Sequence, residues 1–183
     1  MHSGFRALGL AAMGLAMSVS AQADQVDFAL NNDAFSVNYS SSRLGSGASV
    51  DGDWFHHVDR GNVLGLGLKI DQYRGADSVS LGGKLVLVSN DVKDASALAL
   101  GGAFSVGLPG EPRIRFGGHA WLAPSVTSFG DADGFIDIDL RVGYRVLDRG
   151  ELYLGYRYIN VDYQNHHDLK VQDGLMVGMN LTF

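Results

Sequence analysis

Ten side chains sit at polar positions of an otherwise alternating pattern: Lys69, Lys84, Arg113, Arg115, His119, Asp137, Asp139, Arg141, Arg145 and Arg157. Mixed charges on one face of paired strands allow two kinds of chemistry. They neutralise one another as packing groups, or they line a constriction that selects anions. The packing role is the expected one, because small barrels fill their interiors with side chains. A three-residue turn at Asp148–Gly150 would set Arg141 opposite Arg157, with Asp139 on the diagonal. Like charges directly opposite destabilise a strand pair, so Asp137 and Asp139 are expected to compensate.

Other groups have a chemical and a structural role open to them. His119 and Trp121 face inward in "GGHAWLAP", and Ser125 follows. A lipid-modifying enzyme would need His, Ser and a carboxylate together at one rim. There is no His-x-Ser spacing and no carboxylate that the sequence pairs with His119, so it is read as a filler and no catalytic residue is assigned. His56-His57 and His166-His167-Asp168 fall in predicted outer loops, with Asp51, Asp53, Asp59 and Asp162 nearby. These histidines are weak metal candidates. Tandem histidines in solvated loops usually bind nothing specific, so neither a metal nor a cofactor is assigned. Asp131-x-Asp133-Gly134 resembles a fragment of a calcium loop without its later ligands and is read as a turn.

The elements that position these groups repeat with period 2. Leu64, Leu66, Leu68 and Ile70 alternate with Gly65, Gly67 and Lys69. Ile136 to Val146 alternate with Asp137, Asp139, Arg141, Gly143 and Arg145. This is the strand period, with little helix signal. Strands are predicted over 45–57, 61–71, 77–89, 96–108, 112–123, 134–147, 150–163 and 171–183. In the remaining Val26–Ser41, parity flips at Asn31-Asn32-Asp33, which is turn chemistry, so a short hairpin is expected there. The total is ten strands in preference to eight. Short connections, such as Asp148–Gly150, alternate with longer polar ones over 56–62, 90–96, 125–134 and 160–173. That asymmetry marks an up-and-down antiparallel transmembrane barrel.

Composition agrees. Glycine occurs 25 times and proline three times among 183 residues, and cysteine is absent. Abundant glycine with scarce proline fits a β protein with crowded backbones. No disulfide framework is possible. Net charge is −6 without a basic run, which argues against a nucleic-acid partner. Arg6, the apolar stretch from Ala7 to about Val19 and Ala21-Gln22-Ala23 read as a cleaved signal peptide over residues 1–23. The barrel domain is then 24–183. Three features place the apolar face toward lipid: strands of about 10–14 residues, a polar face rich in Gly, Ser and Ala, and Tyr, Trp54 and Phe55 near strand ends.

The chain ends in "VQDGLMVGMNLTF". Leu175, Val177, Met179, Leu181 and Phe183 are read as the lipid stripe of a last strand that pairs with the first, because an open edge is costly in lipid. A terminal Phe on such a strand is similar to the C-terminal signal read by the barrel assembly machinery. "GELYLGYRYINVDY" (Gly150–Tyr163) with "DGLMVGMNLTF", and more generally "GNVLGLGLKID" and "VSLGGKLVLV", resemble the YfaZ family of small outer-membrane proteins. That resemblance implies a small outer-membrane β-barrel and brings no catalytic residues. The function expected is a structural or interaction protein of the bacterial envelope with a mostly filled lumen, in contact with outer-membrane lipid and lipopolysaccharide. A narrow pore for small solutes and a lipid-active enzyme are the alternatives.

Overall fold

The computed structural model describes residues 24–42, 44, 47–90, 94–163 and 167–183. The signal peptide expected over 1–23 and His166 lie outside the described residues. Eleven strands follow one another: β1 (Asp24–Leu30), β2 (Ala34–Ser41), β3 (Ala48–His57), β4 (Gly61–Arg74), β5 (Asp77–Ser89), β6 (Asp94–Leu108), β7 (Glu111–Ala123), β8 (Ser128–Gly130), β9 (Ala132–Leu147), β10 (Gly150–Tyr163) and β11 (His167–Thr182). Ten of them close an antiparallel barrel, in which each pairs with the next and β11 returns to β1. The short β8 extends the line of β7. Pairing with β6 passes from β7 to β8 at Ala95–Ala97, across the 3-10 turn Ser125–Thr127.

Ten strands is the count the parity flip predicted. In the first hairpin, Asn31 Oδ1 accepts from the N–H groups of Asp33 and Ala34 at 2.9 and 2.7 Å. The side chain thus does the work of a backbone turn. At the end carrying both termini the turns are tight: Gly75–Ala76, Pro109–Gly110 and Asp148–Arg149. Gly75 and Gly110 have φ of 65° and 87°, a region other residues seldom adopt.

The opposite end differs from expectation. Much of the long polar connections is strand: β3 and β4 leave only 58–60 between them, β6 takes up 94–96, and β10 and β11 cover 160–163 and 167–173. Polar residues there mark the point where strands rise past the apolar belt, not where pairing stops. Hydrogen-bonding continues wherever inward positions still pack. A bulge at Val171 shifts the β10–β11 register between Ile159 and Asn160 and changes which residues of β11 face out.

The outer surface carries the apolar stripe. Leu66, Leu81, Leu100, Leu140 and Leu154 are exposed, as are Leu175, Val177, Met179 and Phe183 of the last strand, and Leu181 is half-exposed. The closing seam pairs Gln25–Leu30 with Thr182–Val177, and the Phe183 N–H donates to the Asp24 carbonyl at 2.8 Å. β11 runs on beyond the end of β1, and Arg60 caps that edge by donating to the Lys170 carbonyl at 2.5 Å.

Small-barrel curvature depends on glycine at close backbone approaches. A Cβ at Gly101 would collide with the carbonyl of Ala120, and one at Gly82 with the carbonyl of Leu68. Because backbone cannot yield as a side chain can, Gly101→Val should abolish the heat-shifted, folded band on a cold gel. Gly75→Asn, in open space at a turn, should keep it.

Candidate functional site in the barrel lumen

The lumen is built in three layers by the inward residues of all ten barrel strands. At the loop end it is mainly apolar, with Gln172 opposite Ile159 as a polar exception. Trp121, Phe55, Phe135, Ile159, Val63, Val86 and Val161 are among the most deeply buried side chains. Sequence parity read the inner face as small and charged residues with Trp121 among them, and the extent of this apolar plug is a correction. Phe55 in particular is not an interface residue: it points inward, while Trp54 faces out against Phe35, their ring centroids 5.0 Å apart. The available clue was Leu85–Val88, where both parities are apolar, as expected of a strand buried on two sides.

Below the plug lies an ionic layer. Arg157 forks onto Asp137, with Nε to Oδ1 at 3.0 Å and Nη2 to Oδ2 at 2.9 Å, and His119 Nε2 lies 3.2 Å from the same Oδ1. Lys84 Nζ donates to Asp53 Oδ1 at 2.5 Å and sits 3.8 Å from Asp51, whose other oxygen lies 3.1 Å from Lys69 Nζ. Arg141 Nη1 donates to Asp27 at 2.9 Å, and its Nε lies 3.8 Å from Asp139; the Tyr153 hydroxyl donates to Asp27 at 2.7 Å. Cation–ring contacts join this layer to its neighbours: Lys84 over Trp121 at 4.9 Å, Arg157 over Phe55 at 5.1 Å and Arg141 over Tyr153 at 4.8 Å. Lys84, Arg141 and Arg157 therefore each have both a counter-charge and a polarisable face.

Glycine makes room for these groups. Asp51 and Asp53 face Gly67 and Gly65 across the β3–β4 pair. A Cβ at Gly67 would lie 2.7 Å from Asp51 Oδ1, and one at Gly65 would strike Asp53. The carboxylates lie flat over the neighbouring strand where a side chain would otherwise stand.

The register differs from the one read in sequence. The turn is the two residues Asp148–Arg149, and a shift follows between Gly150 and Glu151, so Arg157 faces Asp139, Arg141 faces Gly155 and Arg145 faces Glu151. No like-charge pair arises between β9 and β10. Arg113 is also corrected: past a bulge in β7 it leaves the lumen, is exposed and bonds Tyr144 on the outer side. Arg115 is buried and clamps the turn end, donating to Ser105 Oγ and to the Ala76 carbonyl at 2.7 Å. Lys69, Lys84, Asp137, Asp139, Arg141, Arg145 and Arg157 all face the lumen.

Asp27, Asp51 and Asp53 were missed as lumen groups, although parity could have found them. Asp27 alternates with the outward Val26 and Phe28, and Asp51 and Asp53 alternate with Val50, Gly52 and Trp54. His119 does have a carboxylate partner, Asp137, but inside the barrel; Ser125 lies on the exposed 3-10 turn. His56 and His57 are strand residues on opposite faces, where His56 meets Asn62 at 2.9 Å and His57 accepts from the Asp59 N–H at 3.2 Å. His167 opens β11. Among the described residues, no group of three or more His, Cys, Asp or Glu is placed to hold a metal ion.

The third layer, at the turn end, is a polar cavity of about 490 Å³. Its residues include Lys84, Trp121 and Arg157, and also Ser42, Ala76 and Arg149 near the turns.

Removing one partner of a buried ion pair costs about 3–5 kcal/mol, because the other charge is left uncompensated. Arg157→Met should lower barrel stability by about that amount in urea unfolding from lipid vesicles. Asp137→Asn added to it should restore most of the loss.

The family model described as "YfaZ precursor" matches residues 3–183. The chain is 27% identical over 177 residues to "Outer membrane protein YfaZ" of Escherichia coli (strain K12), covering 96% of each. Among solved structures it is similar to the outer membrane channel DcaP of Acinetobacter baumannii, with TM-score 0.47 and 10% identity, over 91% of this chain. It spans about half, 55%, of that DcaP chain. It is also similar to the KdgM porin, with TM-score 0.45 and 10% identity, over 88% of this chain and 99% of that one.

Proposed function

This chain belongs to the YfaZ family, and from that premise we propose that it is a closed barrel with a structural or interaction role in the envelope. It is a small outer-membrane β-barrel, and the family's description as a precursor accords with an exported chain. The observation that carries the closed reading is the continuous filling of the loop half by Phe55, Trp121, Phe135 and Ile159 above paired charges. An ion crossing this lumen would have to part the Arg157–Asp137 pair and then pass a packed, mainly apolar layer. Barrels of this type set short turns toward the periplasm, so the filled half faces outward and the cavity faces inward.

The partners we assign are bilayer lipid and lipopolysaccharide around the belt, and the barrel assembly machinery during biogenesis. The outward stripe of Leu175, Val177 and Met179, ending on the exposed Phe183, supports the last of these.

The refolded protein should give no discrete current steps in a planar bilayer. Arg141→Met should lower stability in urea and remain silent. Steps from the unmodified barrel would overturn the closed reading in favour of a narrow pore.

A further inference from the structure

We infer that the cavity at the turn end is a binding site for a small uncharged polyhydroxylated solute, of mono- to disaccharide size, arriving from the periplasm. Only the direction of arrival rests on the closed-barrel reading. Its volume, about 490 Å³, is within the range of ligand sites, about 300–1,000 Å³.

Charge decides the ligand class. Lys69, Lys84, Arg141 and Arg157 are each already committed to Asp51, Asp53, Asp27 or Asp137. The rest of the charged lining is balanced, Arg115, Arg145 and Arg149 standing with Asp71, Asp148 and Glu151, so a charged ligand finds no net charge to attract it, and deeper in it would have to displace one of these partners and strand a buried charge. A neutral ligand need not.

The remaining hydrogen-bonding capacity decides its chemistry. Ser49 Oγ, Asp51 Oδ1 and Asp139 Oδ1 are buried and have no hydrogen-bond partner, although Lys69 Nζ lies 3.1 Å from that Asp51 oxygen. All three residues are at least nine-tenths buried and belong to the cavity wall. Beside them β2 turns Ser36, Asn38 and Ser40 to the same space. Hydroxyl groups suit this wall, since each donates to a carboxylate and accepts from a serine or an amide. The indole of Trp121 stands at the inner end beneath Lys84, where its emission reports on the cavity.

The chain has two tryptophans, Trp54 and Trp121, so Trp54→Phe leaves Trp121 as the only indole. Maltose titrated into that refolded barrel should change its emission saturably. Asn38→Leu should weaken the midpoint at least tenfold while keeping the heat-shifted band. If Asn38→Leu does not fold, Ser40→Val serves in its place with the same expectation. Potassium glutamate should give no saturable change. A response linear in maltose, an unaltered midpoint in the folded cavity variants, or saturation by glutamate would overturn the inference. Absent binding in a barrel that stays electrically silent defeats this inference alone. Current steps defeat the closed reading and leave the binding result standing.

Discussion

The Arg157–Asp137 pair, with His119 on the same carboxylate, is the contact on which the lumen depends. It joins β10 to β9 and sets His119 of β7 against them. Arg157 also lies over Phe55 of β3, so one guanidinium links the polar layer to the apolar plug across the barrel. Burying such ions is expensive, and only multiple partners make it tolerable. Glycine supplies the space: wherever a lumen carboxylate lies flat, as Asp51 and Asp53 do, the facing residue has no side chain. The high glycine content and the buried charges are therefore one adaptation, in which a ten-stranded wall closes tightly around a salt lattice.

The layering gives the molecule direction. Toward the loops the inner face is sealed by aromatic and branched side chains. Toward the turns it opens into a cavity walled by serines, asparagines and paired charges. A soluble barrel would gather its apolar residues inside. Here the apolar groups occupy both the lipid belt and the upper lumen, and the ionic layer lies between plug and cavity. The strands that rise past the belt remain hydrogen-bonded because Val161, Tyr163 and Val171 still pack inward.

Much of this was legible in the alternation. Parity located all the main strands, the Asn31–Asp33 hairpin and the lumen face of Lys84, Asp137 and Arg157. It failed where alternation itself fails. Val86 and Val88 share their strand with apolar neighbours of both parities, which signalled burial on two sides. Asp51 and Asp53 fell inside the strand read over 45–57 but were set beside the outer-loop histidines and not in the lumen. Register was beyond parity, since the bulges at Val171 and beside Gly150 each move a pair without changing the pattern. That is why Arg157 faces Asp139 and not Arg141. Arg113 left the lumen for the same reason, because a bulge in β7 re-aims it.

The central claim, a lumen open on one side only, can be tested directly because the chain has no cysteine of its own. Single cysteines would be placed at Val126 on the loop end, at Arg149 on the turn end and at Ser40 in the cavity. Each barrel would be reconstituted in vesicles and treated from outside with a small, charged, membrane-impermeant thiol reagent. Val126→Cys and Arg149→Cys report the two orientations. The account predicts that Ser40→Cys reacts to the same fraction as Arg149→Cys. Complete reaction of Ser40→Cys in both orientations would show that the lumen runs through, and would contradict it.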